Sequence, residues 1–199
     1  TLLYHNHDFE FKKIDGEYGL VILYKEVSPD LLQTELDLHI YHLQRKWLDY
    51  QVNLSNRMVE LFTSQDPEAT TKVQELAKEK GHFQDIVDDL FRDTGKAIKR
   101  DQNEIYFDSY GETISPYKLS SGEKQMLIIL LTVLVQNKRP FVLFMDEPEV
   151  SLHVEWQQRL LELLIDINPK VQIILTTHSP AVIMNCWSDR VTDVEDIEI

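Results

Sequence analysis

The chain has 199 residues, of which 43% are hydrophobic, and a formal net charge of −14 at pH 7. This length supports one globular domain, or one lobe of a larger domain, and argues against a second full domain. No run of about 18 apolar residues occurs and the N-terminus lacks the basic-then-apolar order of a signal peptide, so we expect a soluble, cytoplasmic protein with no membrane partner.

The charge and the cysteine usage exclude further classes of protein. A strongly negative surface disfavours a general grip on nucleic acid. The one compact basic cluster, formed by Lys96, Lys99 and Arg100, is more typical of a solvated helix end than of a nucleic-acid groove. Cys186 is the only cysteine, which excludes an internal disulfide framework and a Cys-rich zinc site.

Residues 1–27 are predicted to form a small β-rich segment. Aromatic residues alternate with polar ones around Phe9 and Phe11, and an apolar run at residues 20–24 follows Gly19. Alternation of this kind is typical of strands, and glycine favours a turn between them. The segment therefore predicts a β-hairpin.

Residues 28–100 are predicted to form a helical insertion. Apolar residues recur three or four positions apart along its first half; they are Leu36, Ile40, Leu43, Trp47, Tyr50, Leu54, Met58 and Leu61. This spacing predicts a helix that begins at Ser28, with Pro29 in its first turn, and reaches Phe62. A turn around Asp66 separates it from a second helix. The pair forms either a coiled-coil arm or a packed lobe, and the shortness of the repeat favours the lobe.

Residues 101–199 carry the motifs with chemical content. A strand pair is predicted around the turn Tyr110-Gly111. The run Leu-Ser-Ser-Gly-Glu-Lys-Gln at residues 119–125 then precedes an apolar helix. Free N–H groups at a helix N-terminus favour phosphate oxygens, and glycine permits close approach of the backbone. Ordinary helix capping explains this stretch equally well when it is taken alone.

Acidic residues follow a strand that is apolar throughout. The run at residues 141–145 predicts a buried central strand of a parallel sheet, and it ends in Asp146, Glu147, Pro148 and Glu149. Ligands of open α/β sheets bind at the carboxyl ends of the strands. An aspartate that coordinates Mg²⁺ and a glutamate that polarises water fit this place. The alternative is a set of solvated acids where the strand ends.

A second apolar strand at residues 171–175 ends in Thr-Thr-His-Ser-Pro, after a helix that follows Ser151-Leu152-His153. If the two strands are parallel, His178 lies at the same sheet edge as Asp146 and Glu147. A histidine at that edge can donate a hydrogen bond to a phosphate oxygen.

These four motifs, in this order and spacing, resemble the ABC-type ATPase superfamily. The wording Glu-Pro-Glu-Val-Ser-Leu-His and the presence of Trp156 are closer to its soluble RecF-like and OLD-like branch, including the ATPases of anti-phage systems such as Septu and retrons, than to transporter subunits. The resemblance implies an α/β fold: the C-terminal part of an ABC ATPase head, with a P-loop NTPase-like parallel sheet, flanking helices, a helical hairpin insertion and a small β element. The predicted segments are residues 1–27, 28–100 and 101–199.

The resemblance also assigns roles to individual residues. It implies that the signature clasps the γ-phosphate of ATP bound to an opposite protomer and that two residues lie in the D-loop; these ATP-binding residues are Ser120, Ser121, Gly122, Glu123, Ser151 and His153. Asp146 would hold Mg²⁺ through water, Glu147 would activate the attacking water, and His178 would sense the γ-phosphate. The implied partners are a second ATPase protomer, in a head-to-head homodimer or a higher oligomer, and an effector nuclease or DNA.

The sequence departs from the family pattern at one point. It contains no Gly-x-x-x-x-Gly-Lys-[Ser/Thr], the Walker A loop that holds nucleotide phosphates. We expect that loop in sequence upstream of Thr1 or in a separate chain. Two hypotheses follow: a dimerising ATPase switch that hydrolyses ATP once a Walker A half is supplied, and a truncated or split fragment that does not hydrolyse ATP and serves as an oligomerisation or docking module.

Overall fold

The computed structural model describes residues 9–14, 17–22, 34–64, 66–184 and 187–193. Strands β1 (Phe9–Ile14) and β2 (Glu17–Ile22) pair antiparallel. Phe9 lies opposite Ile22 and Ile14 opposite Glu17. The predicted hairpin is therefore confirmed.

A long helical hairpin follows, made of α1 (Glu35–Thr63) and α2 (Ala69–Phe91). The predicted start of α1 at Ser28 is wrong, because Thr34 is extended and caps the helix through a capping box with Asp37. Such a box satisfies N–H groups that the first turn leaves free. Ser28 and Pro29 themselves lie outside the described residues.

The hairpin packs against the rest of the chain along part of its length. Trp47 of α1 and Phe83 of α2 have ring centroids 5.7 Å apart. Gln44 donates to the carbonyl oxygen of Ile105 at 2.9 Å and accepts from its N–H at 2.8 Å. Phe62, near the end of α1, is exposed. The two helices therefore form a packed lobe with an exposed tip.

A small antiparallel sheet comes next, with β3 (Lys96–Ile98), β4 (Phe107–Ser109) and β5 (Glu112–Ile114). Tyr110 and Gly111 both have positive φ, as a type I′ hairpin turn requires. The predicted strand pair is confirmed, whereas β3 replaces the helix end that we expected around the basic cluster.

Basic side chains of that cluster form ion pairs with nearby carboxylates. Arg100 contacts Asp85 and Asp88 at 2.7 Å each. Lys96 lies 2.8 Å from the carboxylate of Glu123. Two of the three cluster residues therefore serve internal ion pairs.

The C-terminal part is an α/β unit, which confirms the predicted fold class. Its elements are α3 (Ser121–Leu134), β6 (Phe141–Asp146), α4 (Val154–Ile167), β7 (Val171–Thr176) and the short α5 (Pro180–Ile183). Strands β6 and β7 pair in parallel, and Asp146 lies opposite Thr176. A helix joins the two parallel strands, as such a connection requires.

Burial in this sheet differs from the prediction. Leu143 and Met145 point into the main core, but Val142, Phe144 and Ile174 are exposed. Among the described residues, β6 pairs only with β7. The expectation that β6 is a fully buried central strand is therefore wrong for the structure described, because one face of the sheet is uncovered.

Candidate nucleotide site

The carboxyl ends of β6 and β7 form one edge that carries three of the predicted site residues. The Thr176 hydroxyl donates to the Asp146 carboxylate, so the strand pairing is continued by side chains. The N–H of Glu147 donates to the carbonyl oxygen of Thr176 at 3.0 Å. Glu147 has a φ of 44°, a left-handed conformation that turns the chain sharply where the strand ends.

Glu147 and His178 meet at this edge. The imidazole Nε2 of His178 lies 3.2 Å from Oε1 of Glu147, and the side chains are 88% and 45% exposed, respectively. The predicted convergence of the two residues, which depended on parallel strands, is confirmed. Both side chains are open to solvent, so a ligand can reach them.

The signature run begins α3 as expected. Ser120 is its N-cap, and its hydroxyl accepts from the N–H of Glu123 at 3.3 Å, while the Ser120 N–H donates to the Glu123 carboxylate at 2.8 Å. Ser120 and Ser121 are exposed. The same residues therefore cap the helix and remain accessible to a ligand, so the two interpretations of this stretch are compatible.

Glu123 is buried and fully engaged. Its Oε1 accepts from Thr94 at 2.6 Å and from Lys96 at 2.8 Å. Burial acts to raise the pKa of Glu123, but hydrogen bonds from Lys96, Thr94 and Ser120 outweigh it and leave the pKa below its usual value. The structure gives this carboxylate a structural role that the resemblance did not imply.

Gly122 marks the contact between α3 and the loop that follows β6. A Cβ atom at this position would lie 2.4 Å from the carbonyl oxygen of Ser151. Ser151 has a φ of 73° and is exposed. The two backbones can approach this closely only because residue 122 has no side chain.

His153 is the N-cap of α4, and it is exposed. Its backbone carbonyl accepts the N–H groups of Trp156 and Gln157, while its side chain makes no capping hydrogen bond. His153 thus lies beside Ser151 on the segment between β6 and α4. The predicted residues thus fall into two groups, one at the strand edge and one at the start of α3. The segment between β6 and α4 connects the two groups.

Glu149 was not among the predicted site residues. Its Oε1 accepts from the Thr177 hydroxyl at 2.5 Å and from the N–H groups of His178 and Ser179 at 2.9 and 3.2 Å. Gln157 was missed as well; its side chain accepts from the Ser179 hydroxyl at 2.6 Å and donates to the carbonyl of Leu152 at 2.9 Å. The third acid in Asp-Glu-Pro-Glu was the only signal for Glu149.

The strand edge offers one candidate ligand for a magnesium ion that a bound phosphate would also hold. Mg²⁺ is commonly held by one or two carboxylates together with phosphate oxygens and waters. The described residues hold no group of three or more His, Cys, Asp and Glu that could bind a metal by themselves. Asp146, exposed at the end of β6, is suited to be the protein ligand of an ion that a bound phosphate also holds.

Comparison with known proteins places the chain. The family described as "AAA domain, putative AbiEii toxin, Type IV TA system" matches residues 4–185. The chain belongs to this family. The match covers the helical hairpin of α1 and α2 as well as the motif region, and it confirms the predicted relationship to ATPases.

Individual relatives support the same placement. The retron Vc95 probable ATPase of Vibrio cholerae is 28% identical over 99 residues, which are 44% of this chain and 19% of that protein. The Septu protein PtuA of Bacillus thuringiensis is 32% identical over 134 residues, 60% of this chain and 33% of that protein. The phosphate import ATP-binding protein PstB of Thermococcus kodakarensis is 36% identical over 66 residues, 33% of this chain and 25% of that protein.

The chain thus spans a third or less of the length of these curated relatives. Among solved structures, an Smc head bound to the C-winged helix domain of ScpA overlaps 59% of this chain and 40% of that chain, with a TM-score of 0.44 and 18% identity. Within the described residues, no helix combines the length and the apolar character that crossing a bilayer demands.

Proposed function

We propose that this chain is the signature-bearing half of an ATP-hydrolysing switch and that its strand edge is the hydrolytic centre. The 3.2 Å approach of His178 to Glu147, beside Asp146 at the end of a parallel strand, carries the proposal. Parallel strands bring these two residues, 31 positions apart in sequence, to one edge, where ligands of open α/β sheets bind.

Each residue of the edge has a distinct part in the proposed reaction. Glu147 accepts a hydrogen bond from the attacking water and orients it, because its carboxylate is exposed directly after the strand ends. His178 donates to the γ-phosphate and stabilises the charge that develops during phosphoryl transfer. Asp146 would hold Mg²⁺, which supplies positive charge next to the phosphates.

Nucleotide binding requires a phosphate-binding loop, and the sequence contains no Walker A pattern. The uncovered face of β6 and β7, with Val142, Phe144 and Ile174 exposed, supports the proposal that a further polypeptide segment packs there. In the proposed dimer, exposed Ser120 and Ser121 of one protomer contact ATP bound by the other.

The test is Glu147→Gln in the ATP-hydrolysing protein that contains this chain and a Walker A half. Removal of a general base lowers the rate about a hundredfold or more, so we expect kcat for ATP to fall by at least that factor. Glu162→Gln, an exposed position on α4, is the matched control and should leave kcat unchanged. Equal kcat in wild type and Glu147→Gln would refute the proposed role.

The biological setting that we propose is defence against phage. The support is the identity to the Septu protein and to the retron ATPase, and the expected partners are an effector nuclease or DNA. The efficiency of phage plating on cells that carry the complete system, with and without Glu147→Gln, tests this. Equal plating on the two strains, together with a loss of ATPase activity in the variant, would refute the role in phage defence and leave the proposed ATP hydrolysis standing.

A second candidate function is a docking module without hydrolysis. The exposed tip of the hairpin, with Val59 and Phe62 open to solvent, favours it because exposed apolar groups are suited to a protein contact. Reconstituted protein that binds ATP without turnover, and that loses its partner after Phe62→Ser, would support this candidate over the first.

A further inference from the structure

We propose that Glu149 is a positioning residue that holds the loop of His178 in register with the loop of Glu147. This proposal rests on the proposed function, since it concerns how the two residues of the hydrolytic centre keep their relative place. Glu149 belongs to the first loop by sequence, and all three of its hydrogen-bond donors belong to the second.

The geometry explains why the second loop needs an acceptor. Strand β7 ends at Thr176, so the N–H groups of His178 and Ser179 have no strand partner, and that of Ser179 is shared between Glu149 and the Thr177 hydroxyl. Unpaired backbone N–H groups are costly when they are shielded from water. One oxygen of Glu149 accepts both of them together with the Thr177 hydroxyl, and this fixes the backbone of the residue that carries the imidazole.

Gln157 adds a second connection between the two loops. Its amide nitrogen donates to the carbonyl of Leu152, in the loop after β6, and its amide oxygen accepts from the Ser179 hydroxyl. Because Gln157 lies on α4, it ties both loops to a helix. Glu149 and Gln157 therefore attach the His178 loop to the loop after β6 and to α4.

Only one of the two carboxylate oxygens of Glu149 contacts the His178 loop. Glu149 is 8% exposed, and its Oε2 is buried without a hydrogen-bond partner. A buried, unsatisfied carboxylate oxygen is unfavourable. Glutamate is tolerated here because its other oxygen organises the loop, and glutamine can keep that oxygen while placing its NH₂ group where Oε2 lies.

The first experiment measures the loop directly and needs no ATP. Amide hydrogen exchange is recorded for this chain as wild type, Glu149→Ala and Glu149→Gln. We expect faster exchange at residues 177–179 in Glu149→Ala, with exchange in β6 and α3 unchanged, and near wild-type exchange in Glu149→Gln. Unchanged exchange at residues 177–179 in Glu149→Ala would overturn the proposal. If Glu149→Ala does not fold, the same measurement on Glu149→Asp, whose shorter side chain withdraws the carboxylate from the loop, decides it, with Glu149→Gln as the folded reference.

The second experiment asks whether Glu149 acts through His178. In the ATP-hydrolysing protein we expect Glu149→Ala to lower kcat about tenfold or more with little change in KM, because a misplaced group acts mainly in the transition state. Glu149→Gln should recover kcat to within about threefold, since a neutral acceptor is weaker but present.

A double variant separates positioning from a general structural effect. If Glu149 acts by placing the imidazole, Glu149→Ala adds no further loss of kcat to His178→Ala. Losses that multiply in the double variant would overturn the proposal. If Glu147→Gln leaves ATP turnover unchanged while the exchange result holds, the proposed function fails and the loop attachment stands.

Discussion

Helix α3 and the strand pair β6–β7 are adjacent in sequence and differ in how the fold fixes them. Eleven of the 14 residues of α3 are buried, so packing on nearly every side sets its position. The strand pair is covered on one face only, and the loop after β7 is held by hydrogen bonds that it donates to Glu149 and Gln157. The start of α3 is thus fixed by packing, whereas the strand edge depends on a few polar contacts.

The strongest test of this contrast is the removal of a large side chain from each region. Leu130 of α3 is fully buried and Phe144 of β6 is 58% exposed. Leu130→Ala should lower the free energy of unfolding by about 2–5 kcal/mol, because it leaves a cavity. Phe144→Ala should cost less than about 1 kcal/mol. Urea unfolding measures both, and equal losses would show that the outer face of β6 is covered in solution.

A smaller effect is expected where α3 meets the loop after β6. Gly122→Ala places a Cβ 2.4 Å from the Ser151 carbonyl oxygen, so backbone must shift, at a cost of about 1–3 kcal/mol. Gly81→Ala in α2 is the matched control, because a Cβ there meets nothing within 4 Å. It should stabilise the helix by up to about 1 kcal/mol. Thermal unfolding of the two variants should give shifts in opposite directions, and a neutral Gly122→Ala would show that the contact is loose.

The smallest expected effect on the free energy of unfolding concerns the carboxylate of Glu123, in the first turn of α3. The folded-state pKa of Glu123 lies below its ordinary value of 4.5, so its carboxylate stabilises the fold above that pH. This stabilisation is lost as the pH falls through the lowered pKa. Glu123→Gln should therefore flatten the decline in the free energy of unfolding between about pH 5 and pH 3. Urea midpoints at several pH values measure it, and parallel curves for wild type and variant would contradict the assignment.

Sequence reasoning succeeded where one physical signal dominated. Helical spacing located the faces of α1 and α2, and the parallel arrangement of two apolar strands predicted the meeting of Glu147 with His178. It failed at the start of α1, because Ser28 and Thr34 are both capping residues and the local sequence does not rank them. The capping box of Thr34 with Asp37 decides the matter in the structure.

The burial of the sheet and the role of Glu149 were beyond prediction for a different reason. Hydropathy shows that both faces of β6 are apolar, but it does not show which face another element covers. The acceptor role of Glu149 depends on a hydroxyl and two N–H groups of a loop 28 to 30 positions later, and only the pairing of β6 with β7 brings the two loops together.

The uncovered face of the sheet also bears on colloidal behaviour. Apolar residues on an open sheet promote edge-to-edge and face-to-face association between chains. The formal net charge of −14 opposes such association through mutual repulsion. Salt screens repulsion between exposed charges while leaving apolar attraction in place. The isolated chain should therefore stay dispersed in dilute buffer and cluster as ionic strength rises.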